Sequence, residues 1–341
     1  MNNKKILIVQ TAFAGDVILC TPMAEAIKTM WPGSEVSFLA TPDTGMVLKN
    51  NRWIDRILLY DKRGKERHLL HLIRQIRQIR EAGFDIAAVP HRSFRSAVLV
   101  WAARIPCRIG FDISAAHGLF TETVPYNSAI HEIERNISLL EPLGWKGEIP
   151  APVLYPDHEE KQEVRVFLEQ QGLDPASGII ALAPGSVWPT KRWPAQLYAE
   201  TAALLWEKYR MKSVCIGGSA DASLGDRIVS GAGPAAVSAM GKLSIMASAE
   251  LIGQCRLLIS NDSAPLHLAV SVGTPVIAIF GPTSPSFGFY PWGEGHTVLY
   301  KDIVCSPCGI HGGVSCPRKH FSCMNSITPG EVLESVRRYM P

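Results

Sequence analysis

The sequence lacks long hydrophobic runs and a strong charge of either sign, and each absence excludes a class of protein. No run approaches the ~18 to 20 apolar residues of a membrane span. The apolar start at 5–10 has neither the longer apolar stretch nor the small-residue cleavage site of a signal peptide, so we expect a cytoplasmic protein. The net charge is +3, from 34 basic and 31 acidic residues, which is too weak to indicate a nucleic-acid partner.

Length and composition predict two globular domains. The 341 residues exceed what one typical core holds, and 47% are hydrophobic against 19% charged, so no long stretch is expected to be disordered. Prolines concentrated in 148–156 indicate an extended linker. We predict an N-terminal domain over 1–155 and a second domain over 156–325. A C-terminal helix over 326–341 can pack on either domain, including back on the N-terminal one.

Both halves alternate strand-like and helix-like segments. The run at 5–10 is typical of a strand buried on both faces. Further strands are predicted at 36–40, 56–60, 85–90 and 104–110, and then at 178–183, 213–217, 256–260 and 275–280. The alternation is typical of parallel sheets covered by helices. We therefore predict an α/β fold with two doubly wound, Rossmann-like domains facing a central cleft, with ligands at the carboxyl ends of the strands.

The loop after the first strand, 11–16, contains a glycine but does not match the G-x-G-x-x-G pattern of dinucleotide-binding proteins. It ends on Asp16 at a predicted helix start. A carboxylate there is an N-cap that accepts backbone N–H groups, or a general base that faces the cleft. The local sequence alone leaves both interpretations open.

Two loops of the second half have the chemistry of an anion site. In 183–194, the hydroxyls of Ser186 and Thr190 and the ammonium of Lys191 suit a diphosphate, although a surface loop that caps a helix is the alternative. In 260–267, a strand ends before a helix whose first N–H groups, at Ser263 and Ala264, can bind an anion. Asp262 in this loop would meet sugar hydroxyls rather than phosphate, since like charges repel. His267 is either a core or capping histidine or a residue that helps to hold the phosphate.

Four of the eight cysteines lie close together in the sequence, at Cys305, Cys308, Cys316 and Cys323. Four thiolates suit tetrahedral zinc, but the second pair is separated by six residues rather than two, which weakens the pattern. Structural zinc, free thiols and disulfides all remain open. The cluster is not expected to be catalytic.

Five motifs together resemble the ADP-heptose:lipopolysaccharide heptosyltransferases, which form glycosyltransferase family 9. They are AGDVILCTP (14–22), PHRSFRSA (90–97), APGSVWPTKRWP (183–194), NDSAPLHLA (261–269) and FGPTSP (280–285). They keep the family's order over almost the whole chain. PHRSFRSA and TKRWP are more similar to the heptosyltransferase II branch than to the I branch.

The resemblance implies a GT-B fold and an inverting transfer from ADP-heptose without a catalytic metal. It makes Asp16 the general base for the acceptor hydroxyl. It places Ser186, Lys191 and the helix start at Ser263 and Ala264 at the departing ADP. The resemblance also places Asp262 at the heptose hydroxyls, His267 near the phosphates and Gly241 by the base or ribose.

The acceptor side is assigned to the N-terminal half. The residues expected to bind acid groups of the lipopolysaccharide inner core are His91, Arg92, Ser93 and Arg95, with an ordinary solvated loop as the alternative. An amphipathic helix is predicted over 66–82, with Leu69, Leu72, Ile73, Ile76 and Ile79 on one face. Its arginines either form a solvated surface or contact anionic lipid or a phosphorylated acceptor. Since the acceptor implied by the resemblance is a glycolipid, the lipid would be that of the inner membrane.

Two other functions fit the same fold. One is a related enzyme that uses another nucleotide-sugar donor or a protein acceptor. The other is a nucleotide-binding module without catalysis, which the presence of Asp16 disfavours.

Overall fold

A computed structural model of the chain describes residues 3–61 and 69–340. Contacts between residues divide the chain into two units, Met1–Val153 and Leu154–Pro341. The division falls inside the proline-rich segment at 148–156. Each unit has its own parallel sheet, and the two are described separately below.

The first unit is built on the sheet order β3-β2-β1-β4-β5-β6, with every neighbouring pair parallel. Its strands are β1 Lys5–Val9, β2 Glu35–Ala40, β3 Arg56–Leu59, β4 Ile86–Val89, β5 Cys107–Phe111 and β6 Glu122–Val124. Its helices are α1 Ala14–Met30, α2 Pro42–Gly45, α3 Leu69–Ala82, α4 Phe94–Ala102 and α5 Glu132–Ser138.

Helix α3 follows its predicted apolar face only in part. Ile79 is fully buried, and Leu72 and Ile76 pack against the core beside it. Ile73 is 45% exposed, however, while Gln75 is buried, so the expected position of Ile73 on the core face is wrong. The predicted first turn at 66–68 lies outside the described residues.

The second unit repeats the same topology with the order β12-β11-β10-β7-β8-β9. Its strands are β7 Ile180–Ala183, β8 Ser213–Cys215, β9 Ala236–Ser238, β10 Leu257–Asn261, β11 Val276–Phe280 and β12 Thr297–Tyr300. Its helices are α6 His158–Gln171, α7 Ala195–Tyr209, α8 Ala222–Ala232, α9 Ile245–Gly253, α10 Ala264–Ser271, α11 Ser322–Asn325 and α12 Pro329–Val336.

The last helix, α12, belongs to the core of this second unit. Val332 and Val336 are fully buried in the same apolar cluster as Trp193 and Leu205. Of the two positions open from the sequence, the one observed is therefore beside α7.

In the first unit, the order in which strands are added to the sheet reverses between β1 and β4. In the second unit, it reverses between β7 and β10. At such a point the loops after the two strands diverge and leave a crevice for ligands. In the part of the chain that the structure describes, no helix combines the length and the apolar character needed to cross a membrane.

His296 ties the start of β11 to the loop before β12, and it gives the second unit a pH-dependent contact. The Val276 N–H donates to Nδ1 of His296 (3.2 Å), so Nε2 carries the proton and donates to the Trp292 carbonyl (3.2 Å). Burial lowers the pKa of this imidazole below its usual value.

We expect His296 to contribute stability that is lost in mild acid. Because its folded-state pKa is lowered, the contribution is fully present above the unfolded-state pKa of ~6.5 and disappears as the pH falls through the lower folded value. Thermal melting of wild type and His296→Gln between about pH 7.5 and about pH 5 measures this difference. His296→Gln should show a flatter profile, and the exposed His158→Gln should keep the wild-type profile; identical profiles for all three would contradict the assignment.

Candidate active site

The donor loop, defined as 183–194 between β7 and α7, is held at both ends by one buried amide. Asn261, the last residue of β10, donates from Nδ2 to the carbonyl of Pro184 (2.8 Å). Its Oδ1 accepts the N–H of Trp193 (3.0 Å) and the hydroxyl of Tyr198 (3.1 Å). Asn261 is fully buried, and both its amide oxygen and its amide nitrogen are hydrogen-bonded. It therefore fixes the donor loop to the end of β10, next to the point where the strand order reverses.

Lys191 and Asp262 form an ion pair at this crevice. Lys191 Nζ lies 2.6 Å from Asp262 Oδ2, and their side chains are only 13% and 9% exposed. Thr283, in the loop after β11, donates its hydroxyl to the same carboxylate oxygen (2.7 Å). The loops after β7, β10 and β11 thus meet at Asp262, which places one cation and one anion where a ligand would enter.

Ser186 and Thr190 occupy different environments within the donor loop. Ser186 is partly exposed, and its Oγ accepts the Trp188 N–H (3.3 Å). Thr190 is buried, and its hydroxyl donates to the Gly313 carbonyl (3.0 Å) while it accepts the Gly313 N–H (2.7 Å). The one hydroxyl proton of Thr190 is thus bonded to Gly313 in this arrangement, and the assignment of Thr190 to a diphosphate stays a prediction.

The N-terminus of α10 lies directly after the Asp262 pair. Ser263 is its N-cap and directs its hydroxyl back to the Asn261 carbonyl (3.5 Å) rather than to the first turn, which begins at Ala264. His267 is buried one turn further on. An anion beside this end would meet backbone N–H groups and the positive end of the helix dipole.

Gly241 lies in the loop after β9, where its backbone closely approaches another loop. Its φ is +71°, and a Cβ at this position would lie 2.9 Å from the Ser219 Cα. The Gly241 N–H donates to the Gly217 carbonyl (3.0 Å). The residue therefore packs the loop after β9 onto the loop after β8, both at the carboxyl end of the sheet.

In the first unit, the two candidate loops meet through Thr11 and His91. The Thr11 hydroxyl lies 3.1 Å from His91 Nδ1, which also lies 2.9 Å from the Ser96 hydroxyl. Asp16 is the third residue of α1, and its Oδ2 accepts the Phe13 N–H (3.1 Å). Asp16 thus caps the helix start, and its side chain remains partly exposed at the reversal between β1 and β4.

Glu132, whose pKa is affected by the charge of Asp16, was not among the residues predicted from the sequence. Glu132 is buried and pairs with Arg135 (Nε to Oε2, 2.7 Å). Burial raises the pKa of Glu132, which Arg135 opposes and the nearby charge of Asp16 reinforces. The only sequence signal is the acidic first turn of α5, which by itself is typical of an ordinary helix start.

The predicted acceptor residues have different partners. Arg92 stacks its guanidinium on the Tyr126 ring (4.5 Å to the centroid), and its charge acts on Glu132. Ser93 is the N-cap of α4. Arg95 is exposed and hydrogen-bonded to Tyr60. Arg92 and Asp16 therefore both act on the pKa of Glu132, in opposite directions.

The four clustered cysteines are free thiols in the structure. Cys308 donates to the Cys305 carbonyl (3.0 Å), and backbone N–H groups, that of Phe321 foremost, lower the pKa of the Cys316 thiol. Burial raises the pKa of Cys323 to about 11. Across residues 3–61 and 69–340, no group of three or more His, Cys, Asp or Glu side chains could hold a metal ion. The charges of Cys305, Cys308 and Cys316 also act on Cys323, and structural zinc at this cluster stays a prediction from the sequence.

Comparison with known proteins points to the same family as the sequence motifs do. Residues 72–312 match the family model described as glycosyltransferase family 9 (heptosyltransferase). Lipopolysaccharide heptosyltransferase 2 of Salmonella typhimurium is 26% identical, and the alignment covers 97% of each protein. Lipooligosaccharide heptosyltransferase 2 of Haemophilus ducreyi is 25% identical, with 98% of this chain and 99% of the relative covered.

Two solved structures are similar over nearly the full chain. A family 9 glycosyl transferase from Veillonella parvula matches with a TM-score of 0.89 at 25% identity, over 99% of this chain and 98% of the other. The E. coli ADP-heptose LPS heptosyltransferase II matches with a TM-score of 0.80 at 24% identity, over 98% of both. These likenesses confirm the predicted GT-B fold class. Since the family model covers well over half of the chain, the protein belongs to glycosyltransferase family 9, the heptosyltransferase family.

Proposed function

We propose that this chain transfers heptose from ADP-L-glycero-D-manno-heptose to the inner core of lipopolysaccharide, in the manner of a heptosyltransferase II. Full-length relatives that carry this activity in their names support the reaction. The observation that best supports binding of ADP-heptose is the ion pair between Lys191 and Asp262 at the N-terminus of α10.

The donor would bind with its diphosphate at Lys191 and the first turn of α10. Lys191 supplies a point charge, and the backbone N–H at Ala264 with the hydroxyl of Ser263 supplies hydrogen-bond donors. Asp262 repels phosphate, so it would accept from heptose hydroxyls instead. The partly exposed hydroxyl of Ser186, in the donor loop, would supply one more hydrogen bond to the diphosphate.

Two further residues would shape the donor site from behind. His267 lies one turn into α10, where it can support the phosphate end of the site. Gly241 allows the loop after β9 to pack closely, which leaves backbone rather than a side chain at the base or ribose.

The chemistry we propose is an inverting, metal-independent displacement. Asp16 would take the proton from the acceptor hydroxyl, whose oxygen then attacks the anomeric carbon of the heptose as its bond to the ADP phosphate breaks. Negative charge grows on the departing ADP, and Lys191 with the helix N-terminus would stabilise it. These protein groups would take the role that a divalent cation has in other transferases.

The acceptor would be bound by the basic residues around Asp16. His91, Arg92 and Arg95 would pair with acid groups of the inner core, and Ser93 would add a hydroxyl. Arg74, Arg77 and Arg80 of α3 are exposed, and they would contact anionic lipid at the cytoplasmic face of the inner membrane, where the glycolipid acceptor is anchored.

Donor selectivity tests the proposal directly. Purified protein is incubated with ADP-heptose or with UDP-sugars, and with heptose-deficient lipopolysaccharide as the acceptor. We expect transfer from ADP-heptose only. Transfer from a UDP-sugar would overturn the donor assignment.

A further inference from the structure

A short part of the cysteine-rich region joins two loops of the donor site. We call residues Cys305–Gly313 the bridge segment. Near its start, the Ser306 hydroxyl donates to the Gly281 carbonyl, and the Cys308 N–H donates to the Pro282 carbonyl (2.8 Å). The bridge segment is thus fixed to the loop after β11, one residue before Thr283.

The other end of the bridge segment is fixed to the donor loop through Thr190. Three hydrogen bonds join Thr190 and Gly313: the hydroxyl donates to the carbonyl (3.0 Å), and it accepts the N–H (2.7 Å). The Thr190 N–H also donates to that carbonyl (3.1 Å). Thr190 is 5% exposed, so water competes little for these bonds.

The contact at this end is also so close that a side chain would press on its neighbours. Gly312 has a φ of +81°, and a Cβ there would lie 3.1 Å from Thr190 Oγ1 and 3.2 Å from Lys191 Cγ. Beside it, the ring of His311 stacks on that of Trp188, with an angle of 15° between the ring planes and 6.4 Å between the centroids. The bridge segment therefore packs against the stem of Lys191 itself.

The two anchors act on the two partners of one carboxylate. Asp262 Oδ2 is bound by Lys191, which follows Thr190, and by Thr283, which follows Pro282. Movement of the bridge segment relative to either loop would alter the distance between Lys191 and Thr283.

We infer that the bridge segment positions the donor site, and that Thr190 acts as a positioning residue for Lys191. This inference rests on the proposed function, because that function makes Lys191 a ligand of the diphosphate.

Four variants test the role of the bridge segment. Thr190→Val removes the hydroxyl at nearly constant volume, and Thr190→Ser restores it. Gly312→Ala introduces a methyl group against the donor loop, and Gly293→Ala is its matched control. Gly293 has a similar φ of +92°, but a Cβ there meets nothing within 4 Å, so only backbone strain is shared.

Two measurements are made on each variant: amide hydrogen exchange at Lys191 and Arg192, and equilibrium binding of ADP. Both amides bond within the donor loop, to the carbonyls of Trp188 (2.9 Å) and Pro189 (3.1 Å), so their exchange reports its order. We expect faster exchange and about 10-fold weaker ADP binding in Thr190→Val, from loss of the hydroxyl's hydrogen bonds. Gly312→Ala should behave similarly, while Thr190→Ser and Gly293→Ala should resemble wild type.

Other outcomes overturn the inference. Wild-type exchange in both Thr190→Val and Gly312→Ala would show that the bridge segment does not hold the donor loop. Faster exchange with unchanged ADP binding would show that the held loop does not serve the donor. If wild type itself does not bind ADP, the proposed function fails and the positioning of a donor site fails with it. Exchange in the same variants would still show whether the bridge segment orders the loop.

Discussion

Replacing Asp16 by asparagine is expected to lower kcat by about 10²- to 10⁴-fold, because the variant has no group that can take the acceptor's proton. The asparagine retains an oxygen that can accept the Phe13 N–H, so the start of α1 should remain intact. ADP binding should be unchanged, since the proposed donor residues all lie in the second unit. Steady-state transfer and ADP titration measure the two effects separately.

The matched control for this prediction is Asp43→Asn. Asp43 is an exposed carboxylate in the first turn of α2, so the same chemical change is made at another helix start of the same unit. Turnover of Asp43→Asn should equal that of wild type. Wild-type turnover in Asp16→Asn would instead leave Asp16 as a helix cap only, which is the structural role it already has.

The features predictable from the sequence are those carried by local patterns. The apolar runs of β1, β4, β7 and β10 are continuous, and each precedes a loop with polar or glycine residues. A parallel sheet brings the loops after its strands to one edge, so the position of the candidate sites followed from the order of the strands. Three strands of three or four residues, β6, β9 and β12, were not predicted, because so short a segment carries little periodicity. The equally short β8 was predicted only as part of a longer segment, 213–217.

The features that the sequence did not reveal depend on contacts between distant residues. Thr190 was assigned to a diphosphate because a hydroxyl beside a lysine suits that ligand, but its partner, Gly313, lies 123 residues away. Glu132 was missed because a buried carboxylate beside Asp16 is visible only when α5 and α1 are packed together. Such pairings follow from tertiary packing, which local propensity does not encode.

The pair formed by Lys191 and Asp262 leads to the second large prediction. Lys191→Met should weaken ADP binding by ~1.5 to 3 kcal/mol, as expected for loss of a charged hydrogen bond. It should also destabilise the second unit by up to about 3 to 5 kcal/mol, because it leaves a largely buried carboxylate without its cation. The exposed ion pair of Arg165 with Glu169 provides the control, since Arg165→Met should cost less than about 1 kcal/mol.

A double variant separates the two roles of Lys191. In Lys191→Met with Asp262→Asn, no charge is left buried and the Thr283 hydroxyl can still donate to the amide oxygen, so most of the lost stability should return. ADP binding should recover only in part, because loss of the Asp262 charge relieves its repulsion of phosphate but the cation that would meet the diphosphate is still missing. Chemical denaturation and ADP titration of wild type, the two single variants and the double variant complete the cycle. Full recovery of ADP binding together with stability would mean that Lys191 serves only to neutralise Asp262, and the diphosphate site would then have to depend on the N-terminus of α10 alone.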